Sequence, residues 1–337
     1  MISINPKVSI IIVNYNGALF LDNLFSSLQA QTFKNFEVIF VDNASTDNSL
    51  EIAESFAEKN DLDVKIVGLL DNYGFCKGNN IGVKYAEGQY IVCLNNDTYV
   101  DEKWLEELME VMESDPSVGI CQSKIIEPKI VVYGNFVGVY GKNRLGSIPS
   151  IKKDEAVFEG FFFASGASFI IRKDLIERLG YLFDERQFTG DLDLSWRVRL
   201  LGFKIMTSLR SKCFHYRAKA TKIILPSIVN VSYFLYKDKL RTFVKNYSTL
   251  FLLKRIGMFI FLGLLGTAVY YSVFYKKPIV YSLIKAVFSF LKNFRDTWME
   301  HVKVQTMRNV SDNEIERHML PYPAEIYFWR KILNERG

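Results

Sequence analysis

Two acidic stretches carry the chemistry this sequence could perform. The first is Leu94-Asn95-Asn96-Asp97-Thr98, which follows the apolar run Ile91-Val92-Cys93-Leu94. A continuous apolar run rich in β-branched residues, bounded by Gly88 and by polar residues, predicts a strand buried on both faces. Asp97 then falls at the carboxyl end of a strand, the edge at which open α/β sheets bind ligands. A carboxylate there offers a hard oxygen to Mg²⁺ or Mn²⁺, an ion suited to a diphosphate and to the charge that develops as it departs. Capping the helix that begins near Asp101 is the plainer use of Asp97 and Thr98. The second stretch, Thr189-Gly190-Asp191-Leu192-Asp193, opens a helix. Asp191 is the candidate general base, and because a helix N-terminus favours its ionised form, burial or a neighbouring acid must raise its pKa for that task. Capping is open to both carboxylates, and Asp193 can also pair with Arg197 four residues on.

Other candidates cluster around these two. Asn72-Tyr73-Gly74-Phe75-Cys76-Lys77-Gly78-Asn79-Asn80 sets glycines, amides and one cation at the head of a helix. Backbone N–H groups there, with Lys77 and beside Asn72, Gly74 and Asn79, suit the phosphates of an anionic ligand; a plain loop with Gly74 at positive φ reads the same way. Asp42 ends the apolar run Phe36 to Val41, and its carboxylate can accept from a ring N–H or a ribose hydroxyl, leaving Ser45 and Asp47 to cap the next helix. His215 fits either a core position or a further metal or phosphate ligand. The turn after the first apolar run reads N-Y-N-G-A-L and lacks the glycines of G-x-G-x-x-G, which excludes a dinucleotide redox domain. Cys76, Cys93, Cys121 and Cys213 have no C-x-x-C spacing, so neither zinc nor disulfides are expected, and a reduced, cytosolic setting is.

These groups need a scaffold, and hydrophobic periodicity supplies one. Val8 to Val13, Phe36 to Val41, Val64 to Val67 and Ile91 to Leu94 read as strands. Between them Phe20, Leu21, Leu24, Phe25 and Leu28 form a helical stripe, a second helix runs to about Lys59, and a third ends at Gly88. Strands alternating with helices imply right-handed crossovers and a mostly parallel sheet. Residues 118 to 172, rich in glycine, aromatics and β-branched residues, predict mixed or antiparallel strands and loops over a site.

The pieces V-S-I-I-I-V-N-Y-N, V-D-N-A-S-T-D, N-Y-G-F-C-K-G-N-N-I-G, L-N-N-D-T, S-G-A-S-F-I-I-R and G-D-L-D-L-S-W-R-V-R-L-L-G, in this order, resemble the family 2 glycosyltransferases of GT-A fold, most of all their rhamnosyltransferase-type branch. The resemblance covers residues 6 to 220. It implies a Rossmann-like, mostly parallel sheet flanked by helices, a nucleotide-sugar donor and an inverting transfer. By position it implies that Asp42 contacts the nucleotide base and that Asn96-Asp97 stands at the D-x-D motif with Asp97 binding Mg²⁺ or Mn²⁺. Asp191 takes the place of the base, Ser165 and Gly166 border the acceptor site, and His215 lies near the diphosphate and metal. Asn14, Asn16, Asn72, Gly74, Lys77, Asn79 and Asp193 count as substrate-binding positions. The family's acid before the base is Gly190 here, a departure that removes one source of a raised pKa.

The C-terminal part has a different character. From Lys212 to Arg308 there are 17 Lys and Arg against three acids, while the remainder of the chain carries 25 against 34. Ile256 to Tyr275 is an uncharged stretch of bilayer length, bracketed by Lys254-Arg255 and Lys276-Lys277. Pro278 to Leu291 suits an interfacial helix, and Lys237, Lys239, Arg241 and Lys245 suit anionic headgroups. The expected organisation is a nucleotide-sugar-binding catalytic domain over 1–222 and a helical membrane-associating region over 223–337. The expected partners are a nucleotide-sugar donor, a lipid-linked or polysaccharide acceptor and an anionic membrane surface at the cytoplasmic face of the cell membrane, with no nucleic acid. dTDP-rhamnose is the expected donor, with a UDP-hexose or a catalytically weak nucleotide-sugar-binding membrane scaffold as alternatives.

Overall fold

Apolar runs and amphipathic stripes alternate from the first strand, and the chain folds accordingly. The computed structural model describes residues 6–59, 62–128, 130–137, 143–145, 156–159, 161–216, 228–255, 257 and 280–320. β1 (Val8–Asn14), α1 (Ala18–Gln29), β2 (Phe36–Asp42), α2 (Ser49–Lys59), β3 (Val64–Gly68), α3 (Gly74–Tyr85) and β4 (Tyr90–Leu94) follow one another. β2 and β4 are buried along their whole length, as continuous apolar strands covered by helices on both faces must be. Helical crossovers return the chain to the same edge each time, so β4, β1, β2 and β3 lie side by side and parallel. The carboxyl ends of β1, β2 and β4 therefore open onto one rim.

Beyond β4 the plan changes. β5 (Thr98–Val100), α4 (Trp104–Ser114), β6 (Val118–Glu127), β7 (Ile130–Val132), β8 (Asn135–Val137), β9 (Asn143–Leu145), β10 (Val157–Phe158), β11 (Ser168–Arg172), α5 (Lys173–Leu179), α6 (Asp191–Leu200) and β12 (Lys204–His215) complete this part. The large sheet runs β10-β12-β6-β11-β4-β1-β2-β3, with β5 paired to β12 and β7 to β6; β8 and β9 pair separately. The sheet is mixed, which corrects the expectation of a mostly parallel one. β11 is antiparallel to both β4 and β6, and β5, β7 and β10 are antiparallel to their partners, while β6 and β12 are parallel. For β6 and β7 the reason is connectivity, since a link this short is open only to antiparallel neighbours.

Besides residues 249–255, which are also helical, the C-terminal helices include α7 (Ile228–Asn246), α8 (Val280–Lys292), α9 (Phe294–Thr306) and α10 (Asp312–Arg317). The last opens on the capping pattern at Ser311, whose side chain accepts from the Glu314 N–H. Tyr236, Leu240, Phe243 and Val244 of α7, with Tyr247 just after it, share a core with Trp196 and Leu200 of α6 and with Leu283, Ala286 and Phe290 of α8. Two of the cations expected at lipid headgroups are in that interior instead. Lys245, fully buried, contacts Asp184 at 2.7 Å and Asp193 at 3.0 Å, and Arg241 contacts Asp184 at 2.7 Å and Asp296 at 2.8 Å. Among the described residues no helix is long and apolar enough to cross a membrane. Apart from Gly257, the stretch Ile256 to Tyr275 lies outside the described residues.

Candidate functional site

The rim at the ends of β1, β2 and β4 is held by side-chain amides. Parallel register sets Asn14 beside Asp42. Asn14 Nδ2 donates to Asp42 Oδ1 at 3.1 Å and to Ser45 Oγ at 3.0 Å, and Asn14 Oδ1 accepts from Asn96 Nδ2 at 2.8 Å. Gly17 makes this possible, since a Cβ there would stand 2.3 Å from both Asn14 Oδ1 and Asn96 Nδ2. Asp42 also accepts from Ser45 through its backbone N–H at 2.9 Å and its hydroxyl at 2.6 Å. Both its oxygens thus brace the β2–α2 turn, while Asp47 accepts from the Ser49 N–H at the start of α2, as expected. Asn16, at φ 51°, accepts from the Thr46 N–H at 2.7 Å. Asn14, Asn16, Asp42 and Asn96 are brought together as one hydrogen-bonded floor.

Asp97 and His215 meet above that floor. β12 runs antiparallel to β5 with His215 opposite Thr98, which brings His215 Nε2 to 3.1 Å from Asp97 Oδ1, with Asn95 Nδ2 at 3.5 Å. Nδ1 lies 3.3 Å from Glu127 Oε1. Burial lowers the pKa of His215, but hydrogen bonds to Asp97 and Glu127 outweigh it and push the imidazole up to about 9. Asp97 offers a hard oxygen to Mg²⁺ or Mn²⁺, ions that complete their shells with substrate phosphates and water, and His215 would add its Nε2 only on giving up the proton it shares with Asp97. Among the described residues no group of three or more His, Cys, Asp or Glu forms a metal cage. Glu127, which orients the imidazole from the far side, carries no signal in the sequence because β6 and β12 become neighbours only in the folded sheet.

Asp191 begins α6. Burial raises its pKa, the condition a base at a helix N-terminus has to meet, against the Leu192 N–H, which donates to Oδ1 at 2.9 Å, and the nearby Gly166 N–H and Thr189 hydroxyl, which favour the ionised form. Gly190, where the family pattern has an acid, sits at φ +69°, and a Cβ there would lie 2.8 Å from the Phe183 ring and 3.0 Å from Cys76 Sγ. The backbone and the space at this position both exclude a glutamate. Gly166 lies alongside, its would-be Cβ 3.1 Å from the Phe75 ring and 4.0 Å from Asp191 Cβ. The Ser165 N–H donates to Gln122 Oε1 at 2.6 Å, and the Asn95 N–H donates to the Ala167 carbonyl at 3.0 Å. That last bond ties the segment beside Asp191 to the strand end that carries Asp97.

The Asn72–Asn80 segment is divided. Gly74 has φ +78° and opens α3, Asn72 Oδ1 accepts from its N–H at 2.9 Å, and Lys77 Nζ stands 3.8 Å above the Tyr73 ring. Asn79 is buried and donates to the Phe75 carbonyl in its own helix at 2.9 Å, so this amide is turned away from a ligand. Asp193 also needs correction as a substrate-binding residue. It is 0% exposed, and its oxygens are taken by Arg197 Nε at 2.9 Å, Lys245 Nζ at 3.0 Å and Asn246 Nδ2 at 2.9 Å.

A sheet with this strand order, a carboxylate at the end of β4 and a second carboxylate at the head of a later helix defines a GT-A-type α/β protein. The model of glycosyl transferase family 2 matches residues 9–180, and the chain belongs to that family. It is similar to the poly-beta-1,6-N-acetyl-D-glucosamine synthase of Staphylococcus aureus (strain COL), 25% identical over 208 residues that make up 61% of this chain and 49% of the relative. The chain thus spans about half the length of the curated relatives it matches. Two solved structures share its fold. S. aureus TarS 1-349 in complex with UDP-GlcNAc superposes with a TM-score of 0.55 at 20% identity, over 71% of this chain and 67% of that one. The mannosyltransferase PcManGT from Pyrobaculum calidifontis in complex with GDP-Man and Mn²⁺ gives 0.56 at 17%, over 86% and 88%.

Proposed function

We propose that the protein is an inverting glycosyltransferase that moves a sugar from a nucleoside-diphosphate donor to a lipid-linked or polysaccharide acceptor. The observation that carries this reading is Asp191: a carboxylate with a raised pKa at the head of α6, packed beside the Gly166 segment that the end of β4 anchors. In one displacement Asp191 takes the proton of the acceptor hydroxyl and the oxygen forms its bond to the anomeric carbon. The electron pair of the breaking bond leaves with the nucleoside diphosphate. Lys77 and the first N–H groups of α3 meet the phosphates. Asp97 and His215 would hold Mg²⁺ or Mn²⁺, which when bound supplies charge neutralisation at the diphosphate. dTDP-rhamnose is the donor suggested by the motif pattern. A UDP-hexose is the second reading, favoured by the UDP-GlcNAc bound to the related TarS fold. The scaffold reading loses support, because burial alone raises the pKa of Asp191 in the absence of an acid at 190.

A thermal-shift panel of UDP-, dTDP- and GDP-sugars with and without Mn²⁺ ranks the donors, since a selective ligand stabilises by a logarithmic mass-action term. Asp97→Ala is expected to lower the Mn²⁺-dependent part of donor affinity by about tenfold or more, the scale on which metal shells respond. Calorimetric titration reads this directly, and an undiminished Mn²⁺ increment in the variant would sink the metal assignment.

The same reading assigns 1–222 to catalysis and 223–337 to docking at the cytoplasmic face of the cell membrane. Support comes from α8. Leu283, Ala286 and Phe290 point inward, while Tyr281, Ile284, Phe288 and Leu291 are exposed, and the only charges on the helix are Lys285 and Lys292. Phe288→Asp is expected to reduce partition onto anionic vesicles about tenfold, the loss of one large apolar side chain from the interface. Flotation provides the measurement. Wild-type protein that ignores anionic vesicles would remove the membrane role.

A further inference from the structure

Asp238 of α7 lies far along the chain from Asp191, yet it grips the turn that leads into that residue. One oxygen, Oδ2, accepts from the Phe188 N–H at 2.7 Å and from the Thr189 N–H at 3.2 Å. Gln187 fastens the same turn to α7, donating to the Thr242 hydroxyl at 2.7 Å and to the Asp238 carbonyl at 3.4 Å. The Thr189 hydroxyl lies close enough to the Asp191 carboxylate to favour its ionised form. Asp238 is buried, and its other oxygen, Oδ1, has no hydrogen-bond partner among the described residues. It borders a cavity of about 20 Å³ shared with Thr189, Gly190 and Lys239. A space of that size suits a single water molecule.

We propose that Asp238 is the positioning residue of Asp191: from α7 it holds the 188–190 turn, out of which α6 and Asp191 begin. The glycine at 190 makes such a brace necessary. A residue at φ +69° without a side chain cannot pin the turn from within, and the neighbouring Phe183 and Cys76 leave no room for one that could. A carboxylate from the C-terminal helices does it from outside, so the active site is completed by the part of the chain that follows the matched family region. Burial pushes the Asp238 carboxyl up to about 7 against the pull of the two N–H groups; of the charged neighbours, Lys237 lowers it and Asp184 raises it.

The inference rests on Asp191 as the base, and its test does not need a substrate. In the full chain carrying ¹³C-labelled aspartate, with Asp191 assigned by its loss in Asp191→Asn, carboxyl titration is followed by NMR. Asp238→Ala frees the turn, the Thr189 hydroxyl is no longer held near Asp191, and the Asp191 titration moves to higher pH because a hydroxyl there favours the ionised form. Thr189→Val gives the same upward shift, and adding Asp238→Ala to it gives no more. Asp238→Asn leaves Asp191 titrating as in the wild type, since a single amide oxygen can accept both N–H groups and its NH₂ faces the cavity. Where transfer is measurable, Asp238→Ala lowers kcat about tenfold or more with donor KM unchanged, and Asp238→Asn restores it. Asp238→Leu, which keeps the volume, replaces Asp238→Ala should the latter not fold. An Asp191 titration unmoved by loss of the acceptor overturns the proposal, as does an Asn variant that behaves like Ala. So does a pair of Ala and Leu variants that both fail to fold while Asn folds. A wild-type protein without transferase activity sinks the proposed reaction and leaves the NMR result to decide this one.

Discussion

Asp191→Asn is expected to lower the rate of sugar transfer by about 10²-fold or more, the scale of general-base catalysis, while donor affinity stays within about twofold. The amide keeps the shape of the side chain and its place at the head of α6 but cannot take a proton from the acceptor hydroxyl. Donor binding is spared because the phosphate-facing groups, Lys77 with the α3 N-terminus and Asp97 with His215, lie on other elements. The raised pKa adds a pH signature. With its carboxyl held above the ordinary range by burial, Asp191 is ionised only at correspondingly higher pH, so the acidic limb of the kcat profile reports that residue and disappears in the variant. Steady-state transfer assays paired with donor titration give both numbers. A transfer rate unchanged by Asp191→Asn would refute the base assignment; Asp193, with its oxygens bound to Arg197, Lys245 and Asn246, could not replace it.

The second large effect concerns the C-terminal helices. A fragment ending at residue 222 is expected not to fold, because Lys245 and Arg241 leave with the deleted part while their buried partners Asp193 and Asp184 stay. Removing one side of a buried ion pair costs about 3–5 kcal/mol, against a total stability of about 5–15 kcal/mol for a typical domain. The deletion also uncovers the face of α6 that carries Trp196 and Leu200. Lys245→Ala in the full chain isolates the electrostatic part and should cost about 3–5 kcal/mol by denaturant unfolding. For both aspartates burial favours the neutral form, but Lys245 with Arg241 at Asp184, and Lys245 with Arg197 at Asp193, hold the carboxyls below the usual range. A depressed folded-state pKa contributes stability above the unfolded value, about pH 4, and loses it as pH falls through the folded value. The wild type should therefore weaken below about pH 4, and Lys245→Ala should show a shallower acid dependence. A soluble 1–222 fragment with cooperative unfolding would contradict this account.

The sequence by itself determined the elements and the two ends that matter. Strand and helix periods are local, so the apolar runs and stripes placed β1 to β4 and α1 to α4, and the polar burst after Leu94 put Asp97 at a strand end. The step from Gly190 to Asp191 likewise marked the head of α6. Local spacing could not say how the second half of the sheet is joined, since parallel and antiparallel partners for β11 look alike in one strand's residues. Nor could it assign the basic residues of α7. Lys245 beside apolar neighbours reads as a headgroup contact until the fold brings Asp184 and Asp193 to it. Glu127, Gln122 and Asp238 escaped for the same reason, because each acts on a residue more than forty positions away. Their roles depend on which strands and helices become neighbours. Only the tertiary structure decided that, since burial and charge at a site are properties of everything packed around it and not of the residues beside it in the chain.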